Sequence, residues 1–118
     1  MARILIVDDE PDLRGMVRLI LQLAGHDVVE AHHGAAALQR LQEERVDLMI
    51  TDVMMPVMNG AELVDRIRDD AERAKLPIIV LSASPHTVER ADRVMRKPFE
   101  PADLRHIAAQ LLAANAST

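Results

Sequence analysis

Hydrophobic and polar positions along the chain alternate between two periods. The stretch RILIV, Arg3 to Val7, is apolar after its first residue, the pattern of a strand covered on both faces. Leu13, Val17, Ile20, Leu21 and Ala24 then recur at helical spacing. Pro11 suits the first turn of that helix, Asp9 or Glu10 can cap it, and Gly25 suits its stop. Asp27 to Ala31 predicts a short second strand, HHG a loop, and Ala35 to Glu44, rich in good helix formers, a second helix. Val46 to Asp52 predicts a third strand. Pro56 and Gly60 then break a loop, and Leu63, Val64 and Ile67 mark a third helix. Pro77 to Ser82 reads as a fourth strand, apolar until its last residue. ASPHTVERAD reads as a loop with room for two helical turns, and Arg93 to Phe99 as a weak fifth strand. Pro101 opens a last helix with Leu104, Ile107, Ala108, Leu111 and Leu112 on one face.

Strands alternating with helices predict an α/β fold of the (βα)5 kind, a doubly wound parallel sheet with right-handed crossovers. The 118 residues fit one domain of ordinary size, and no repeat, linker or second domain is visible. Composition sharpens this in three ways. With 49% hydrophobic residues there is ample material for a core, yet the only aromatic is Phe99, so Leu, Ile, Val, Ala and Met must fill it. With no cysteine, disulfides and thiolate metal sites are excluded. A net charge of −5 argues against nucleic acid as a direct partner. No apolar run approaches a membrane span and the N-terminus lacks a signal-peptide layout, so a soluble, cytoplasmic protein is expected.

The chemistry collects at the carboxyl ends of the predicted strands. The first ends at Asp8, Asp9 and Glu10, the third at Asp52, the fourth at Ser82, and the fifth is followed by Lys97. In an open α/β sheet these ends form the ligand crevice. Three adjacent carboxylates repel one another, which raises carboxylate pKa values unless a cation intervenes. Hard oxygen ligands without Cys or a His pair suit Mg2+. A carboxylate beside such an ion can attack a phosphoryl group to form an aspartyl phosphate, with the ion and a lysine neutralising the transferring group.

VDDE after the first strand, DVMMPVMNG after the third, LSA after the fourth and KPF after the fifth occur in order on the matching elements. Together they resemble the response-regulator receiver domain of the CheY-like kind over almost the whole chain. The resemblance implies strand order 2-1-3-4-5 and one receiver domain over residues 1–118. It implies Asp52 as phosphoacceptor, and a Mg2+ site of Asp9, Asp52, the Met54 backbone carbonyl and, through a water, Asp8. Ser82 would bind a phosphoryl oxygen and Lys97 would pair with it. Pro98 is implied as a cis-peptide site, and Glu10 falls outside the metal's ligands, as a helix cap. The donor would be a histidine kinase or phosphotransfer protein. The modified domain would act on another protein, as a monomer or a phosphorylation-dependent homodimer. No output domain is visible in this chain, whose starting Met favours a complete small protein, and no catalysis beyond its own phosphoryl transfer and dephosphorylation is expected.

Two departures stand out. Ser82 to Lys97 is shorter by about seven residues than receivers of this type provide, so a short or rearranged fourth helix is expected. Pro85 further restricts Ser84 there. Val94 stands where receivers commonly carry an aromatic, so the usual hydroxyl–aromatic coupling is absent or replaced. Met54 beside the phosphoacceptor, like Ser84 beside Ser82, would overhang the phosphoryl group, and Met54 offers apolar shielding only. The cluster of Met49, Met54, Met55 and Met58 reads as core filling, and the five histidines as surface residues, with His86 of interest only by proximity. The charges RDDAER after Ile67 read as a solvated helix end. Two rival readings are a receiver that has lost phosphorylation and a Mg2+-dependent aspartyl-phosphate phosphatase. The second lacks the acidic residue expected at Met54, and a flavin-binding variant lacks stacking aromatics.

Overall fold

The structure, a computed structural model, describes residues 2–83 and 88–116. Five strands, β1 (Arg3–Val7), β2 (Asp27–Ala31), β3 (Leu48–Asp52), β4 (Ile78–Ser82) and β5 (Arg93–Arg96), form one parallel sheet in the order β2-β1-β3-β4-β5. The helices are α1 (Pro11–Leu23), α2 (Gly34–Glu43), α3 (Gly60–Asp69) and α4 (Pro101–Ala116). Side chains alternate across the sheet. Leu5, Val7, Met49, Ile78 and Val80 pack with Leu63, Val64 and Ile67 of α3 and Ala37 and Leu41 of α2. Ile4, Ile6, Leu48, Ile50, Ile79 and Leu81 pack with Val17, Ile20 and Leu21 of α1 and Leu104 and Ala108 of α4. Burial on both faces explains the continuous apolar runs ILIV of β1 and IIVL of β4.

Element boundaries differ from the sequence expectation for local reasons. The third strand begins at Leu48 rather than Val46, because Asp47 engages β1 differently: its carboxylate accepts from the Arg3 N–H at 2.9 Å. β5 ends at Arg96 rather than Phe99, since Pro98 has no N–H to donate. The Lys97–Pro98 peptide is cis. α2 begins at Gly34 because His33 caps it, Nδ1 accepting from the Ala36 N–H at 3.0 Å. His33 is therefore a structural cap rather than an ordinary surface histidine. Glu10 occupies the N-cap position of α1, but its side chain makes no cap bond. Gly25 closes that helix at φ +94°.

The connection from β4 to β5 departs most from a regular (βα)5 chain. Among the described residues it contains no helix. Ser84, Pro85 and His86 lie outside the described residues. The segment from Val88 to Asp92 is fastened to α3. Val88 is buried in the α2–α3 core. The Arg90 guanidinium pairs with Asp65 at 3.3 Å and Asp69 at 3.0 Å. Arg68 donates to the carbonyls of Leu76 at 2.6 Å, Ala74 at 3.0 Å and Arg90 at 2.8 Å, and to Asp92 at 2.8 Å. Arg68 is only 10% exposed, so RDDAER is a solvated helix end only in part: Asp69, Ala71 and Glu72 are exposed, while Arg68 is not. Arg73 in the same run reaches the Leu41 carbonyl at 2.7 Å.

The loop from β3 to α3 contains one strained residue. Val57 has φ +69° and is fully exposed. A β-branched residue in the left-handed region costs about 1–2 kcal/mol. Val57→Gly is expected to stabilise the fold by about 1 kcal/mol, the relief exceeding the added chain entropy of glycine. A thermal melt followed by circular dichroism checks this; an unchanged or lower midpoint would refute it.

Candidate functional site

The chain runs from β1 outward to β2 and then returns past β1 to β3, so the direction of winding reverses between β1 and β3. A crevice opens beyond the carboxyl ends of strands at such a reversal. Asp8 and Asp9 follow β1, and Asp52 is the last residue of β3. Their carboxylate oxygens lie within 4.8 Å of one another, with Asp8 and Asp52 buried and Asp9 exposed.

Asp8 and Asp52 are each held by their backbone. Asp8 donates its N–H to the Ala31 carbonyl at 3.2 Å, and its Oδ1 accepts from the Glu10 N–H at 2.9 Å. Asp52 is fixed by the β3 ladder and by Thr51, wholly buried, whose hydroxyl donates to the Asp52 carbonyl at 3.1 Å. Gly60 at the start of α3 sits directly over that carbonyl, and its N–H donates to the Val53 carbonyl at 2.8 Å. A Cβ on Gly60 would collide with the Asp52 oxygen, so glycine is required for this close approach. Asn59 and Glu62 form a capping box that fixes α3 there.

Lys97 reaches the acids from the far strand. Its Nζ donates to Asp52 Oδ1 at 3.0 Å. Its N–H donates to the Ser82 carbonyl at 2.7 Å, which joins the ends of β4 and β5 beside the site. Ser82 is fully buried at the end of β4. Burial raises the Asp8 pKa above the ordinary carboxylate value. The Glu10 N–H opposes this, the Asp52 charge adds to it, Lys97 lowers it and Asp9 raises it.

Asp8, Asp9, Asp52, Ser82 and Lys97 thus lie at one edge of the sheet, at or just beyond the carboxyl ends of four strands. Met54 lies two residues beyond Asp52 on the β3–α3 loop and is 65% exposed. Of the methionine cluster, Met49 and Met55 are buried, and Met58 packs against Gly34. Val94 lies on β5, paired with Val80 and 39% exposed. Sequence reasoning missed Thr51, and it read Gly60 only as a loop breaker; an apolar strand's lone threonine next to the acid was the available signal. It also missed Arg14, whose Nη1 donates to the Asp8 carbonyl at 2.7 Å.

The donor set tests the expected metal. Three carboxylates, two of them buried, with neither sulfur nor imidazole among them, match the hard oxygen ligands that Mg2+ takes. An octahedral ion at ~2.1 Å from each ligand needs oxygens about 3–4 Å apart, and a spread of up to 4.8 Å leaves room for that ion with bound water. The residues fit the group.

A doubly wound 2-1-3-4-5 sheet with acids at its switch point and a lysine on the far strand defines the CheY-like class of fold. The family model described as the response regulator receiver domain matches residues 4–109, and the chain belongs to that family. It is 41% identical over 110 residues to the sensor histidine kinase TmoS of Ectopseudomonas mendocina, covering 87% of this chain and 11% of TmoS. It is 35% identical to the response regulator GtcR of Aneurinibacillus migulanus, covering 92% of this chain and 47% of GtcR. The chain thus spans half the length or less of these curated relatives. Among solved structures, the receiver domain of a signal transduction histidine kinase from Syntrophus aciditrophicus superposes with TM-score 0.90 at 30% identity, over 97% of this chain and 92% of that one. TrrA of Thermotoga maritima, in complex with Mg2+ and BeF, gives TM-score 0.87 at 33% identity over 94% and 99%. Among the described residues no helix is long and apolar enough to cross a membrane.

Proposed function

We propose that this chain is a phosphorylation-dependent signalling switch in which Asp52 accepts a phosphoryl group from a histidine kinase or phosphotransfer protein in the cytoplasm. The observation that carries this reading is the Lys97 ammonium 3.0 Å from Asp52, opposite two further carboxylates. Asp9, Asp52, the Met54 backbone carbonyl and, through a water, Asp8 would hold Mg2+. The chemistry Mg2+ supplies when bound is neutralisation of negative charge on the acids and the incoming phosphoryl group. Asp52 contributes the carboxylate oxygen that forms the new P–O bond as the P–N bond to the donor imidazole breaks. Lys97 offsets charge on the phosphoryl oxygens, and the Ser82 hydroxyl donates a hydrogen bond to one of them. The residues promote only this transfer and the later hydrolysis, in which water attacks phosphorus, the Asp52 O–P bond breaks and inorganic phosphate leaves, without turning over a separate substrate. The readout goes to another protein, with the domain monomeric or dimerising when modified.

A second reading, a receiver that binds partners without phosphorylation, draws support from the helix-free β4–β5 connection among the described residues. One experiment separates the two. Intact mass after incubation with acetyl phosphate and Mg2+ should show one added phosphoryl group on wild type and none on Asp52→Asn. No adduct on wild type, either with acetyl phosphate or with a phosphorylated donor kinase, would favour the second reading.

A further inference from the structure

Residues 8–10 lie between β1 and α1, where the Asp8 N–H still continues the ladder to the Ala31 carbonyl at 3.2 Å and the Glu10 carbonyl already accepts from the Arg14 N–H at 3.0 Å. The Asp8 carbonyl is met instead by a side chain. Arg14, one turn into α1, donates from Nη1 to that oxygen at 2.7 Å. The same guanidinium donates from Nε to Glu30 Oε1 on β2 at 3.0 Å, and the other oxygen of Glu30 accepts from Arg18 at 2.7 Å. Arg14 is 20% exposed and Glu30 28%. The planar fork of Arg14 is therefore locked between a fixed carboxylate on the neighbouring strand and the peptide that carries the acid pair. Glu30 shares its single charge between Arg14 and Arg18, and it holds the Arg14 guanidinium aimed as a donor at the Asp8 peptide.

Together with the Asp8 N–H bond to Ala31 and the Oδ1 bond from Glu10, this contact fixes Asp8 at three points. Nothing else described holds the Asp8 carbonyl in place against the repulsion between Asp8, Asp9 and Asp52. We propose that Arg14, held by Glu30, is a positioning residue: it sets the placement of the Asp8–Asp9 peptide toward Asp52 and thereby the affinity of the acidic pocket for a divalent cation. The inference rests on the reading of that pocket as a Mg2+ site. Groups that orient a ligand without touching the metal typically change affinity by about 10–100-fold when lost.

The test is calorimetric titration of Mg2+ into wild type, Arg14→Met, Arg14→Lys and Glu30→Gln, with metal-free thermal melts beside it. Arg14→Met should weaken Mg2+ binding by about tenfold or more. Arg14→Lys should recover part of the loss, because an ammonium can reach the carbonyl but cannot span to Glu30 as well. Glu30→Gln, which keeps an acceptor for Arg14 but loses its charge, should fall between them, and it serves as the main variant if Arg14→Met does not fold. A purely structural role would lower the metal-free melting point and leave Mg2+ affinity unchanged. That outcome, with wild type binding Mg2+, overturns the inference alone. Wild type that binds no Mg2+ overturns the metal-site reading and the inference with it. Wild type that binds Mg2+ yet takes no phosphoryl group overturns the proposed transfer, and the variants still decide the role of Arg14.

Discussion

Lys97→Gln is expected to slow phosphoryl incorporation at Asp52 by about 10²–10³-fold, the usual effect of removing one preorganised donor from a site where charge develops. Lys97 is aimed at Asp52 Oδ1, and its side chain is only 21% exposed, so its charge is poorly replaced by water. Arg14 cannot substitute, because its fork is occupied by Glu30 and the Asp8 carbonyl. Gln keeps a donor of similar reach but no charge, which isolates the electrostatic part. Lys97→Arg should also be impaired, since a planar fork does not fit the position of a compact ammonium. The measurement is the time course of the intact-mass adduct with acetyl phosphate at fixed Mg2+. Equal rates in wild type and Lys97→Gln would remove Lys97 from the transfer. The same substitution replaces the Lys97 ammonium at the buried Asp52 with a neutral donor, at a cost of about 1 kcal/mol in the metal-free protein.

How much of this was legible in the sequence depends on what kind of partner each residue has. The alternation of strands and helices follows from apolar runs such as ILIV and IIVL set between helix-period segments, whereas the strand order came only through the family resemblance. The acids, Ser82 and Lys97 were legible because residues at or just beyond a strand's carboxyl end lie at one edge of a parallel sheet, so position along the chain gives position in space. Arg14, Arg68 and Arg73 were not. Their acceptors are the carbonyls of Asp8, Leu76 and Leu41, and a carbonyl leaves no mark on a sequence. Hence RDDAER looked solvated although Arg68 is the clamp between α3 and the β4–β5 connection. The short stretch before β5 was visible as a length deficit, but its fastening by Arg90 to Asp65 and Asp69 depends on ion pairs more than twenty positions apart. The sequence period that marks a helix face does not encode such contacts.

The acid pocket also makes a prediction about stability. Asp8→Asn is expected to make the metal-free protein more stable at neutral pH by about 1–2 kcal/mol, the usual gain from relieving a functional site. Burial, with Asp52 and Asp9 adding, raises the folded-state pKa of Asp8 above its unfolded value, although the Glu10 N–H and Lys97 oppose the rise. The folded protein therefore holds the Asp8 proton more tightly than the unfolded chain does. Below the unfolded pKa both states are protonated and Asp8 costs nothing. As pH rises from the unfolded value to the higher folded value, stability falls, and above that window the loss is complete. Asn has no charge to bury, and its Oδ1 can still accept from the Glu10 N–H. The gain over wild type should therefore be present at pH 7 and vanish in acid. Added Mg2+ should reverse the order, because a cation that binds only the folded state stabilises wild type by mass action, and the variant has lost one of its acids. With no tryptophan in the chain, circular dichroism melts at neutral and acid pH, with and without Mg2+, are the measurement. A variant less stable than wild type in metal-free buffer at pH 7 would show that the Asp8 charge is compensated in the fold, and that the pocket does not need a cation to relieve it.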